Sequence, residues 1–186
     1  MLQEPHRALE TARLSMRLVD AGDAEGLIAY DLRNAEHLRA WVPLRDRASL
    51  VDLEARRALL AERRADAAAD RLYGFLARLR DGDGTVVASV QLSNVVRGAF
   101  QACHLGYSVD AAHQGTGIAS EAVGAVVGFA FEVLGLHRVM ANYQPSNERS
   151  SKLLRRLGFV PEGYARDYLL IGGAWRDHVL TSLVKP

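Results

Sequence analysis

A change of hydrophobic period near residue 71 constrains this chain most. Before it, Ser49-Leu50-Val51-Asp52 opens an alanine- and arginine-rich helix to about residue 69, with a capping-box pattern at its start. Its mixed Arg and Glu residues read as a solvated face with ion pairs. After it, residues 72–80 and 85–93 read as strands flanking Asp81-Gly82-Asp83-Gly84, a strong hairpin signal. A third strand is expected over 102–109. A glycine-bearing loop at 110–117, a helix over 118–134 rich in Ala, Val and Gly, and a strand over 137–143 then close a βαβ unit. A hairpin demands antiparallel neighbours and a βαβ unit demands a parallel pair. The chain is therefore expected to be α/β (α+β), with a mixed, mostly antiparallel sheet and helices on both faces.

The flanks complete the order. Residues 1–10 read as a loose tail and 11–186 as a single domain. Residues 13–19 alternate, with Leu14, Met16 and Leu18 on one face, as a half-buried strand does. Asp20 and Asp23 can cap a helix to about Arg33, and Asn34 a second short turn ended by Trp41-Val42-Pro43. Asn147 caps a short helix that stops at Leu157-Gly158, and strands over 159–171 and 174–184 turn at Gly172-Gly173.

Composition removes several function classes. The 186 residues carry a formal net charge of +1, so no charge excess drives general nucleic-acid binding, and no direct DNA binding is expected; a local basic patch stays open. One cysteine, Cys103, excludes an internal disulfide. Cys103 and His104 are strand neighbours that point to opposite faces, so Cys103 reads as a small core residue rather than a nucleophile. His6, His37, His113, His137 and His178 have no metal-ligand spacing, and no metal is expected. The start, MLQEPHRALETARL, has no signal-peptide core, and the apolar runs are too short for a membrane span. The expectation is a soluble cytoplasmic protein with no membrane partner.

The chemistry-bearing stretch is Gln114-Gly115-Thr116-Gly117-Ile118-Ala119, between a strand and a helix. Two glycines let the backbone turn tightly and approach a ligand. The unpaired N–H groups and positive end of the helix then form a phosphate cradle. A tight strand-to-helix turn with no ligand accounts for these residues equally well. The third glycine of a dinucleotide fingerprint and the Gly-Lys-Ser/Thr of a Walker loop are both missing.

The wider order narrows this. Gln-x-x-Gly-x-Ala, a strand, Asn147-x-x-Ser150 at a helix start, Leu157-Gly158-Phe159 and Glu162-Gly163 together resemble the GNAT superfamily. The chain is similar, more narrowly, to the ribosomal-protein-alanine N-acetyltransferases of the RimJ type. That likeness is carried by Trp41-Val42-Pro43-Leu44-Arg45-Asp46, Ser93-Asn94-Val95-Val96-Arg97-Gly98, Leu105-Gly106-Tyr107-Ser108, His137-Arg138-Val139-Met140-Ala141-Asn142-Tyr143 and the block from Glu162 to Thr181. The phosphate-loop motif marks the superfamily; the C-terminal block marks the branch.

The resemblance implies an acyl-CoA N-acyltransferase fold with two splayed central strands, and acetyl-CoA as cosubstrate. It implies backbone contacts to pantetheine from Tyr107, Ser108 and Val109, with Val109 N–H polarising the acetyl carbonyl. The N–H groups of Gly115, Thr116, Gly117, Ile118 and Ala119 hold the pyrophosphate, helped by Gln114 and Ser120, and Asn147 anchors the pantetheine amides. Arg149 and Lys152 fit either the 3′-phosphate or a solvated helix face. Ser150 stands where related enzymes place the thiolate's proton donor, or merely caps its helix. Some relatives carry a glutamate near Leu169; Asp167, two residues away and so on the same strand face, is the first base candidate and Tyr168 the second. Asp167 also reads as a structural or peptide-binding carboxylate. A weak base suffices for an α-amine, pKa near ~7.7 to 8.0, but less so for lysine near ~10.4, which favours a protein N-terminus as acceptor. Trp41, Pro43, Tyr168 and Trp175 are expected to line its groove, although both tryptophans also suit a core. The expected substrate is an N-terminal alanine of a ribosomal protein. A small-amine acetyltransferase and a non-catalytic acetyl-CoA- or ribosome-binding module are the alternatives.

Overall fold

A computed structural model describes residues 8–43 and 51–185. Along the chain run β1 (Ala8–Glu10), β2 (Leu14–Leu18), α1 (Ala24–Leu38), α2 (Leu53–Ala68), β3 (Tyr73–Leu79), β4 (Val86–Val96) and β5 (Ala102–Val109). After these come α3 (Ile118–Gly128), β6 (Arg138–Tyr143), α4 (Glu148–Arg156), β7 (Val160–Ile171) and β8 (Ala174–Val184). Among the described residues one sheet holds all eight strands, in the order β1-β2-β3-β4-β5-β6-β8-β7. Its single parallel pair, β5 with β6, is the one that the βαβ unit requires.

Alternation sorts the two faces. Phe75, Val90, Leu92, Cys103 and Leu105 pack with Val123 and Val126 of α3 and Leu154 of α4. Leu76 and Val86 point the other way, into a smaller cluster with Leu27 and Tyr30 of α1 and Leu60 of α2. Phe129 meets Tyr73 and Phe75 edge-on at 5.5 and 5.1 Å. Cys103 is fully buried, which pushes its thiol up to about 12, so it is an inert core residue. Among the described residues no helix is long and apolar enough to cross a membrane.

The turns form where the sequence expects them. Gly172 and Gly173, at φ 61 and 81, make the two-residue turn between β7 and β8. Gly158, at φ 89, ends α4.

Several boundaries differ from expectation. Ala8–Glu10 pair antiparallel with Arg17–Ser15, so the chain joins the sheet before the expected end of the tail. The Ser49 signal and the motif residues 44–46 lie outside the described residues; Asp52 caps α2, accepting from Ala55 N–H at 2.9 Å. Asn34 does not break α1. Its Nδ2 donates back to Tyr30 C=O (2.9 Å) and to Asp110 (3.1 Å), while its Oδ1 accepts from Ala111 N–H (2.9 Å). Because these tertiary partners satisfy the side chain, it has no need to cap a new turn. The helix expected to 134 changes after Gly128 into a wider turn, closed by Leu134 N–H on Phe129 C=O at 3.0 Å. That widening buries three consecutive residues, Phe129, Ala130 and Phe131. β4 runs on past Ser93 through an irregularity at Asn94, which sits at φ 51.

Candidate active site

The parallel ladder between β5 and β6 is short. Its register covers Ala102, Cys103 and His104 opposite Arg138, Val139 and Met140, and stops there. β5 continues to Val109 and β6 to Tyr143 without pairing to each other, so the two strands splay as expected. Asp110 N–H bonds Val87 C=O at 2.9 Å, which makes Val109, opposite Ala88, a non-hydrogen-bonded member of the β4 ladder. Val109 and Tyr107 therefore turn their backbone groups into the splay. Ser108, between them, turns its backbone to Ser89 on β4 and receives the Tyr30 hydroxyl at 2.9 Å. It does not supply the backbone contact expected of it.

A cleft of about 1700 Å³ follows the splay and opens on both sides of the sheet. One end of it is the loop after β5. Gly115 and Gly117 both lie in the left-handed region, at φ 76 and 86. Gly117 caps α3 without a side chain, and the first turn closes with Glu121 N–H on Gly117 C=O at 3.1 Å. The N–H groups of Ile118, Ala119 and Ser120 precede that bond and remain helix-start donors. Gln114, Gly115, Gly117, Ala119 and Ser120 line the cleft. Thr116 and Ile118 do not: the Thr116 hydroxyl donates to His113 C=O at 2.7 Å, and the Ile118 side chain is core. On the opposite rim Arg149 donates to Gln114, and Lys152 pairs with Glu148 at 3.0 Å.

Two residues that the sequence does not single out hold this loop. Arg13 donates to Thr116 C=O at 2.9 Å and to Glu121 at 2.7 Å. Asp110, 2 % exposed, accepts from Arg33 at 2.6 Å, Asn34 at 3.1 Å and Ala112 N–H at 2.9 Å. Burial alone would raise its carboxyl, but the hydrogen bonds from Asn34 and Arg33 outweigh it and hold the value down at about 2. A depressed carboxylate stabilises the fold fully above its unfolded value near ~3.9, and that contribution is lost as pH falls through about 2. Asp110→Asn is thus expected to cost about 2 kcal/mol at pH 7 and to flatten the dependence of stability on pH between about 4 and 2, read by denaturant melts.

On the α4 side, Asn147 Oδ1 accepts from Ser150 N–H at 3.0 Å, so Asn147 is the cap. The Ser150 hydroxyl instead meets the Tyr107 hydroxyl at 2.7 Å. Burial chiefly pushes Tyr107 up to about 12, with the Ser150 bond acting the other way, so the phenol stays protonated.

The other side of the splay is a groove with a polar floor: Gln91, Ser93, His104, Gly106 and Asn142. Trp41 and Pro43 beyond α1 form one wall and Tyr168 to Ile171 another. Tyr168 accepts from Asn142 Nδ2 at 3.2 Å, and its ring lies 5.5 Å from that of His178. His37 meets Val109 C=O through Nε2 at 3.1 Å.

Two expected site residues stand outside the cleft. Asp167 is exposed at φ 47, and its N–H donates to Asp177 at 2.9 Å. From Ala165 to Leu169 β7 takes four steps while β8 takes two, from His178 to Arg176, so simple alternation fails there and Asp167 does not follow Leu169 into the groove. Trp175, 60 % exposed, lies on the face of β8 opposite His178. His178, His37 and Tyr30 are among the groove residues that sequence reasoning missed. Each becomes meaningful only through contacts across strands or from α1.

An αL glycine loop at a helix start, a splayed parallel pair and a groove on the far side of the sheet define one class of protein. The family model for the acetyltransferase (GNAT) domain matches residues 13–160, and the chain belongs to that family of acetyl-CoA-dependent N-acetyltransferases. It is 44% identical over 185 residues, 98% of this chain and 93% of the relative, to the [ribosomal protein uS5]-alanine N-acetyltransferase of Escherichia coli. Among solved structures it resembles the ribosomal-protein-S5-alanine acetyltransferase of Vibrio fischeri, with a TM-score of 0.89 and 37% identity over 96% of this chain and 99% of that one. It also resembles Mycobacterium smegmatis RimJ in complex with CoA-disulfide, with a TM-score of 0.85 and 30% identity over 92% and 81% of the two chains.

Proposed function

We propose that this enzyme transfers the acetyl group of acetyl-CoA to the N-terminal α-amine of a ribosomal protein that begins with alanine. The observation that carries the acceptor is the 44% identity along 98% of the chain to the uS5-alanine enzyme. The geometry supports the donor. Tyr107 and Val109 present backbone groups to the splay, where an extended pantetheine arm would complete the ladder. The donors of Ile118, Ala119 and Ser120 suit the pyrophosphate. With its Oδ1 committed to the cap, Asn147 keeps its Nδ2 for a pantetheine carbonyl. Arg149 and Lys152, on the rim of the cleft, suit the 3′-phosphate. A ribosomal acceptor puts the work in the cytoplasm.

An extended peptide needs an open groove with aromatic surface, and Trp41, Pro43 and Tyr168 supply one. Trp41 is 37 % exposed, which supports a place in the groove wall over one in the core. Trp41→Ala is expected to raise KM for an alanine-starting peptide about tenfold, the loss of roughly 1.4 kcal/mol of contact, and to leave KM for acetyl-CoA nearly unchanged. Steady-state kinetics with both substrates varied tests this. Turnover of small amines with none of the peptide would overturn the acceptor assignment.

A further inference from the structure

We propose that His178 is the general base that takes the proton from the acceptor amine. The proposal rests on the reading of this chain as an amine acetyltransferase. His178 lies on β8, is 4 % exposed and lines the acceptor groove. Its Nδ1 stands 2.9 Å from the carbonyl oxygen of Arg176. A backbone carbonyl only accepts, so Nδ1 carries the hydrogen and the neutral ring has its lone pair on Nε2. An imidazole oriented through one nitrogen and basic at the other is the arrangement that proton abstraction requires.

The other groups of the groove fit less well. Asp167 is outside it. Tyr168 has a hydroxyl already engaged as acceptor by Asn142 Nδ2. His37 is oriented in the same way, through Nε2 on Val109 C=O, but it is only half-buried at the end of α1, whereas His178 is enclosed in the sheet. The Nδ1 of His104 is buried without a hydrogen-bond partner among the described residues, so nothing fixes its tautomer. Asp31 is paired with Arg56 at 2.9 Å.

The step balances as follows. Nε2 takes a proton from the substrate ammonium. The freed amine nitrogen bonds to the thioester carbon and the C–S bond breaks. The Tyr107–Ser150 pair gives a proton to the departing sulfur, and the second proton of the nitrogen restores the pair. The imidazolium releases its proton to solvent, and one proton is the net product. The titratable and charged neighbours of His178 are Tyr168 across its ring and Arg176 and Asp177 on its own strand. Asp177 is engaged on the opposite face, by the Tyr164 hydroxyl at 2.5 Å and Asp167 N–H at 2.9 Å. The end of α1 brings His37 and Arg39 to the same groove.

The test is His178→Asn, whose side-chain amide can still donate to Arg176 C=O but offers no basic nitrogen; His178→Gln is the second variant should the first fold poorly. Melting curves and calorimetric acetyl-CoA binding establish that each variant is intact. At pH 7 the expected loss in kcat/KM is about 10² or more. It narrows by about tenfold or more toward pH 9.5, where the amine loses its proton to water unaided. A deficit that is constant across this range, or one of only a few-fold at pH 7, overturns the proposal and leaves His178 a packing residue. The ratio of wild type to variant is read on whichever amine the wild type acetylates. If that is only a small amine, the ribosomal acceptor falls while the base assignment is still decided.

Discussion

Ser150→Ala is expected to lower kcat by about 10² to 10⁴, the usual range for a general acid or base, and to leave the dissociation constant for acetyl-CoA within a few-fold of wild type. The expectation comes from where the hydroxyl points. A serine in the first turn of a helix ordinarily helps to cap it, but here Asn147 holds that position and bonds Ser150 N–H at 3.0 Å. The Ser150 hydroxyl meets Tyr107 at 2.7 Å instead, at the edge of the splay. Tyr107 stays protonated, at about 12, so the pair always holds a proton to share. Such a phenol is a weaker acid than a thiol near ~8.5. The pair must therefore act by hydrogen-bonding the sulfur as charge develops on it, with the proton following as the C–S bond breaks. Tyr107→Phe is expected to share much of the loss, because it removes the group that orients and resupplies Ser150. A loss of only a few-fold in both variants, by single-turnover kinetics, would return the pair to a structural role.

Gly117→Val is the second large effect, and it falls on binding. Gly117 sits at φ 86, where a β-branched residue is strained by about 1 to 3 kcal/mol. A Cβ there would also come within 3.2 Å of the Arg13 guanidinium, which clamps the loop through Thr116 C=O. The substituted loop must change conformation or displace Arg13, and either moves the donors of Ile118, Ala119 and Ser120. Acetyl-CoA is expected to bind about 10- to 100-fold more weakly by calorimetry, the equivalent of that strain, while the melting temperature changes by only a few degrees. Unchanged affinity would mean that the pyrophosphate lies elsewhere.

The glycine loop before α3 was legible because its signals are local. Glycines at positive φ, an asparagine cap and a strand followed by a helix are all constraints within a few residues. The acceptor side was much less so. Asp167 is placed by counting two residues from Leu169, and counting fails where β7 takes two more steps than β8; Trp175 is placed by its aromatic type alone, yet it is 60 % exposed. The same irregularity puts Tyr168 in the groove. Asn34 read as a cap from its type alone, yet it is a fully buried link from α1 to Asp110 and Ala111.

What the sequence by itself determined is the set of elements, the mixed sheet and the glycine loop at one end of the cleft, since backbone geometry and side-chain periodicity act over one turn or one strand. Only the tertiary structure decided how that cleft is completed. The splay arises because β6 leaves β5 after Met140 to continue its pairing with β8. α1 reaches β5 through Tyr30, Arg33, Asn34 and His37, which are 72 to 78 positions from their partners Val109, Asp110 and Ser108. His178 enters the groove because the long β7–β8 hairpin turns one face of β8 toward it. No local preference specifies such contacts; they follow from burying both faces of one sheet at once.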